Sequence, residues 1–173
     1  MRNRIIASLT CALALSAAVF AGDAAADLKK QVQTAFAGFT KAFKNKDADG
    51  AEKLMRGFFS KDFSSTNSEG KKMTLNEMIA LERQHIAGIK TVTSMNLDLR
   101  NIKASGNKGS GSETFNIQAT IIDPMDAKKT AKLKVESKAN SMYKKVGGKW
   151  WCTSSKITSE KVWINGKLMG PGM

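Results

Sequence analysis

Five side chains have types suited to chemistry. Glu82 and His85 stand three residues apart, one helical turn; Glu113, Tyr143 and Cys152 are spread through the second half of the chain. A carboxylate or imidazole in a dry cavity can move a proton, because burial shifts its pKa toward that task. A phenol can donate to a developing oxyanion. Cys152 as a nucleophile would need a base, and His85 is the only histidine. A lone buried thiol more often packs as a small apolar group. His85 can equally be a half-buried packing residue, Glu82 a helix-surface charge, Glu113 a charge at the rim of its strand, and Tyr143 a core residue with its hydroxyl at the edge.

Other chemistries find no support in the spacing. No run of His, Cys and acids has metal-ligand spacing, so no metal or cofactor is expected. "SGNKGSGSE" (residues 105–113) is glycine-rich, but it lacks the strand–loop–helix context of a phosphate cradle. No Ser-His-Asp order is evident.

The elements that must hold these groups divide the chain in two. The first half is helical. Leu28, Val32, Ala35, Phe36, Phe39 and Phe43 recur at helical spacing and predict an amphipathic helix over about 27–46. A shorter helix follows, capped by Asp47 or Asp49, with Leu54, Met55, Phe58 and Phe59 on its buried side. Short strands at 63–66 and 71–73 flank a turn at 67–70. "TLNE" (74–77) has the form of a capping box, opening a helix that ends near Gly88. His85 and Glu82 lie on or beside its apolar stripe.

From Lys90 the period becomes two. Strands are expected at about 90–104, 111–122, 129–146 and 149–163, joined by connections too short for crossover helices, hence antiparallel. Leu97, Leu99, Phe115, Ile117, Leu133, Val135 and Ala139 share one face with Tyr143; Asp98, Asn116, Gln118, Lys134, Glu136 and Lys138 share the other. Helices first and a curved sheet packed on them afterwards make an α+β architecture. Asn165-Gly166 is a strong hairpin signal; the residues beyond it, 166–173, read as a flexible tail.

The first 26 residues have the three-part pattern of a secretory signal peptide: Arg2 and Arg4, an apolar run to Phe20, then small residues. Cleavage is expected after Ala26, with Ala21 as the alternative. The domain would then span 27–165, and the protein would be periplasmic or secreted. Without the leader the formal charge falls from +13 to about +12, carried mostly by lysine. Such a surface is either simply solvated or makes weak contact with anionic envelope surfaces. Nucleic acid is not an expected partner, since the chain is exported and has no compact basic block with stacking aromatics.

"GGKWWCTSSK" (147–156) holds two of the three tryptophans. Neighbours in a strand point to opposite faces. Trp150 and Trp151 therefore cannot both be core; Trp150 shares its face with Cys152, and Trp151 shares the other with Thr153, Ser155 and Ile157.

Three stretches in this order resemble the nuclear transport factor 2-like superfamily, an α+β cone that includes ketosteroid isomerases and polyketide-cyclase-like proteins. They are "FTKAFKNKDADGAEKLMRGFFSKDF", "STNSEGKKMTLNEMIAL" and "GGKWWCTSS". The resemblance spans about residues 30–160. Through its Gly-Lys-Trp strand opening it implies that Trp150 is the inward one of the two adjacent tryptophans. It implies a pocket between the helices and the concave face of the sheet, for which Phe36, Phe39, Met55, Phe58 and Trp150 are the lining candidates. It implies that catalysis, if any, uses an inward acid, His or Tyr, here His85, Glu82, Glu113 or Tyr143. It also implies pairing through the sheet, so that Trp151 and Ile157 would lie at a homodimer interface. Fold alone does not give function. A small-molecule-binding or accessory domain for an apolar or amphipathic compound, an isomerase, dehydratase or cyclase, and a non-catalytic interaction protein all remain open.

Overall fold

In the computed structural model, residues 4–169 are described, with side chains from Asp23 onward. Most of the expected leader therefore lies outside the described side chains. Helix α1 spans Arg4–Asn45, α2 Ala48–Phe58 and α3 Leu75–Gly88; strands are β1 Phe59–Thr66, β2 Lys72–Thr74, β3 Ile89–Ser105, β4 Lys108–Asp123, β5 Asp126–Val146, β6 Lys149–Ile164 and β7 Lys167–Leu168. Among the described residues no helix is long and apolar enough to cross a membrane.

The local signals behave as their chemistry requires. Asp47 caps α2 by accepting from the Gly50 amide at 2.8 Å. The Thr74–Glu77 capping box forms reciprocally at the start of α3. Asn165 and Gly166 both have positive φ (51° and 80°), the backbone of a two-residue hairpin, and Lys167–Leu168 returns to pair with β6. Two residues of the expected tail are thus held in the sheet. Phe59, expected on α2, instead begins β1.

The sheet order is β2-β1-β6-β5-β4-β3, with β7 beside β6. The sheet is curved and not closed into a barrel. It is mixed rather than wholly antiparallel, because β1 pairs parallel to β6. The chain leaves β1, builds β2, α3 and the β3–β4–β5 meander, and returns along β1 in the same direction.

α1 lies across β3, while α2 and α3 cover the β1 and β6 side. Leu28, Val32, Met55, Phe63, Ile79, Tyr143, Trp150 and Cys152 form one buried cluster; Phe43, Ala51, Ile86, Ile89, Ile117 and Ala119 form a second. Gly109 allows the close approach of α1. A Cβ there would sit 2.6 Å from Leu28 Cδ2 and 3.2 Å from Trp150 Cζ3, inside normal contact, so any larger residue would push the helix off the sheet.

β6 does not keep one parity. Tyr143 pairs with Cys152, but Met142 pairs with Ser154, so Thr153 is an extra residue. This bulge exchanges the faces that follow. Ser155 then pairs with inward-facing Ser141, and Ile157 with Ala139. Ile157 and Ser155 therefore lie on the helix-facing side, not beside Trp151 on the outer face as strict alternation predicts. A second bulge, at Thr158, returns Trp163 to the outer face.

Candidate functional site

Glu113 is the centre of the inward-facing polar groups. Its row across the sheet is Leu99, Glu113, Ala139 and Ile157, all on the face toward the helices. Phe115, two residues along β4, meets Phe36 of α1 edge-on at 6.0 Å. The carboxyl is thus set among half-buried apolar side chains, not on the rim.

The next row on this face carries Gly111, Ser141 and Ser155, and the one after it Tyr143, paired to Gly109 on one side and Cys152 on the other. The Tyr143 hydroxyl donates to Glu113 Oε1. Ser141 Oγ lies 3.2 Å from Ser155 Oγ. Tyr143, Ser141 and Cys152 are buried.

The electrostatics follow from this burial. Desolvation raises the Glu113 carboxyl above its ordinary range, and the hydrogen bond from Tyr143, with Ser141 adding, pulls it partly back. Burial, and then the neighbouring Glu113 charge, push the Tyr143 phenol well up. Burial chiefly, with Glu113 adding, does the same to the Cys152 thiol. Cys152 thus lacks the electropositive surroundings that make a reactive thiolate. Glu113 can hold a proton into a pH range where a free glutamate has lost it.

Glu82 and His85 lie apart from this pair, on α3. Glu82 Oε2 is 3.2 Å from His85 Nδ1, and the imidazole side chain remains 53% exposed. The hydrogen bond that His85 donates to Glu82 raises the His85 pKa; partial burial opposes it, and the Glu82 and Glu160 charges add to the rise. Two of the four acid–base candidates therefore meet, and the other two form a separate surface pair.

The aromatic candidates mainly build core. Trp150 is fully buried and Met55 nearly so; Phe39 and Phe58 pack against the same cluster, with Phe58 6.3 Å from the Tyr143 ring. The structure also explains why Trp150 is tolerated inside. Its indole Nε1 donates to Asp27 Oδ2 at 3.0 Å, and its backbone N–H donates to Gln31 Oε1 at 3.0 Å. Lys145 Nζ reaches the same Asp27 oxygen at 2.7 Å. Neither Asp27 nor Gln31 stood out in the sequence, because only the docking of α1 on the end of β6 gives them a role. Trp151 lies on the outer face with Lys149 Nζ 4.1 Å above its ring. Among the described residues no group of three or more His, Cys, Asp or Glu could hold a metal ion.

No protein-family model and no curated protein matches the chain. Solved structures do. A nuclear transport factor 2-like (NTF2-like) protein from Cytophaga hutchinsonii superposes with a TM-score of 0.54 at 14% identity, covering 76% of this chain and 97% of that one. An NTF2-like protein of unknown function from Prochlorococcus gives 0.55 at 12% identity, covering 76% and 91%. A candidate dehydratase of the NTF2-like family from Streptomyces avermitilis gives 0.50 at 14% identity, covering 74% and 92%. At these identities the likeness concerns the fold. The chain has the NTF2-like α+β fold that its three motifs led one to expect.

Proposed function

We propose that this is an exported small-molecule-binding domain. Its concave face takes an apolar or amphipathic compound, with Glu113 and Tyr143 engaging the polar end. The observation that carries this reading is the Glu113 carboxyl, hydrogen-bonded by Tyr143 and flanked by Leu99, Phe115, Ala139 and Ile157 on the inner face of the sheet. A pocket of this kind is mostly apolar with a few convergent polar groups. A neutral carboxyl can both donate to and accept from a carbonyl or hydroxyl, so it suits a ligand with one such group. Export is supported by the N-terminal sequence pattern alone.

A second reading draws on the same group. A carboxyl whose pKa is raised by burial is suited to proton transfer near neutrality, as an isomerase or dehydratase requires. It differs from the first in needing turnover.

The test is native mass spectrometry of the purified protein, to find any compound that travels with it, followed by titration with that compound or with the apolar probe 1-anilinonaphthalene-8-sulfonate. Saturable binding that Glu113→Gln weakens and His85→Ala leaves unchanged supports the cleft. Bare protein that binds no probe, or binding indifferent to Glu113, overturns it. Chemical conversion of the bound compound that is lost in Glu113→Gln moves the assignment to the enzyme.

A further inference from the structure

The outer face of the sheet has a charge pattern that Glu113 and Tyr143 do not use. Strand register sets Lys132, Lys134, Lys138 and Lys144 of β5 on that face, with Lys156 and Lys161 of β6 beside them. Glu136 stands in their midst, paired to Lys134 at 2.8 Å; among the described residues the other five lysines form no ion pair. The two arginines of α2 and α3 are paired: Arg83 bridges Asp49 and Glu52, and Arg56 pairs with Glu52. Five lysines without an ion pair thus share one face of β5 and β6, apart from Glu113 and Tyr143 on the other face.

The same face bears a groove of about 590 Å³, lined by Gln118, Thr120, Lys132, Lys134, Trp163 and Gly166. Lys134 Nζ sits 4.7 Å from the centre of the Trp163 ring. From Trp163 to Trp151 along β6 the face runs roughly 40 Å at the usual rise per strand residue.

We infer that this face binds an anionic polysaccharide, a chain carrying carboxylate or sulfate groups, laid along β5 and β6. A second copy of the protein would bring like charges together, which is costly. A planar bilayer would touch only the crest of a curved sheet, whereas a flexible polymer can follow it. Amide and hydroxyl groups of Gln118, Thr120 and Asn140 lie between the lysines on the same face and can bond sugar hydroxyls. The indoles of Trp151 and Trp163 already hold ammonium groups, so they are not open platforms for stacked bases as a single-stranded nucleic acid needs.

Calorimetric titration of the purified protein with polygalacturonate tests this. Binding is expected at low ionic strength and should weaken at about 0.15 M salt, where surface charges are screened beyond about 8 Å. Reversing Lys132, Lys134, Lys138 and Lys161 to Glu should weaken it by about tenfold or more. Reversing four exposed lysines of the helical side, Lys29, Lys30, Lys41 and Lys53, changes the net charge equally and should have little effect. Circular dichroism of both variants establishes that they fold; if the sheet variant does not, the paired reversal Lys138→Glu and Lys161→Glu replaces it. The inference is overturned if both sets of reversals weaken binding alike, if neutral dextran binds as tightly, or if single-stranded DNA or anionic lipid vesicles bind more tightly at the same salt. It is also overturned if the protein proves to be a dimer that the sheet reversals dissociate, since the face is then an interface between copies.

Discussion

Replacing Tyr143 by Phe removes one hydroxyl and leaves the ring in place against Phe58. The Glu113 carboxyl then loses the hydrogen bond that the Tyr143 hydroxyl donates. A hydrogen bond to a charged group contributes about 1.5–3 kcal/mol, and a neutral one about 1 kcal/mol. The cost should therefore depend on the protonation state of Glu113. Burial raises its pKa in the folded protein. In the parent, Glu113 thus contributes stability that is fully present below the unfolded glutamate pKa of about 4.3 and is lost as pH rises through the folded value. Tyr143 stabilises the carboxylate, so its loss raises that pKa further and widens the window of decline. Tyr143→Phe should cost about 1 kcal/mol where Glu113 is protonated and about 1.5–3 kcal/mol where it is ionised. At about 2–4 °C per kcal/mol for a chain near this length, the larger figure is a fall in Tm of roughly 3–12 °C. Urea unfolding at pH 4 and pH 8, followed by tryptophan fluorescence, measures both, and Trp150 reports on the same buried cluster. In Glu113→Gln the difference between the two pH values should vanish. A Tyr143→Phe protein within about 0.5 kcal/mol of the parent at both pH values would refute the coupling, since that is the spread of ordinary surface substitutions.

The two tryptophans make a sharper contrast than their adjacency suggests. Trp150→Ala should cost about 3–5 kcal/mol in urea unfolding, as large-to-small core changes do, while Trp151→Ala should cost under about 1 kcal/mol. The Asp27 carboxyl is held below its usual range, first by the hydrogen bond from Lys145, with burial opposing and Gln31 and Trp150 adding. Its stabilisation is present above the unfolded aspartate pKa and is lost as pH falls through the lowered value, so Asp27→Asn should lose most near neutrality and converge with the parent in acid, read as Tm against pH. Finally, if the leader is removed as proposed, the intact mass of the protein recovered from a secreting host should correspond to a chain beginning at Asp27; a mass retaining residues 1–26 would remove the leader assignment.

What the sequence could determine by itself was local. Helical spacing, the Asp47 and Thr74 caps and the turn at Asn165-Gly166 act over a few residues, and all are realised. Period-two alternation in β3, β4 and β5 separates Leu97, Phe115 and Val135 from Asp98, Gln118 and Glu136, because one face of each strand meets the helices. It also sets Glu113 and Tyr143 on the same face, without revealing that they touch. That contact needed the β4–β5 register, which pairs Gly109 with Tyr143 and Glu113 with Ala139. The bulge at Thr153 was equally out of reach. Nothing in "WWCTSSKI" marks an extra residue, since the bulge belongs to the fit between two strands, and it alone turns Ser155 and Ile157 toward the helices. The tryptophan pair was legible as one inside and one outside. The depth of Trp150, with its two N–H groups anchored on Asp27 and Gln31 about 120 residues earlier, depended on the docking of α1, because a long-range hydrogen bond leaves no periodic trace in the chain that makes it.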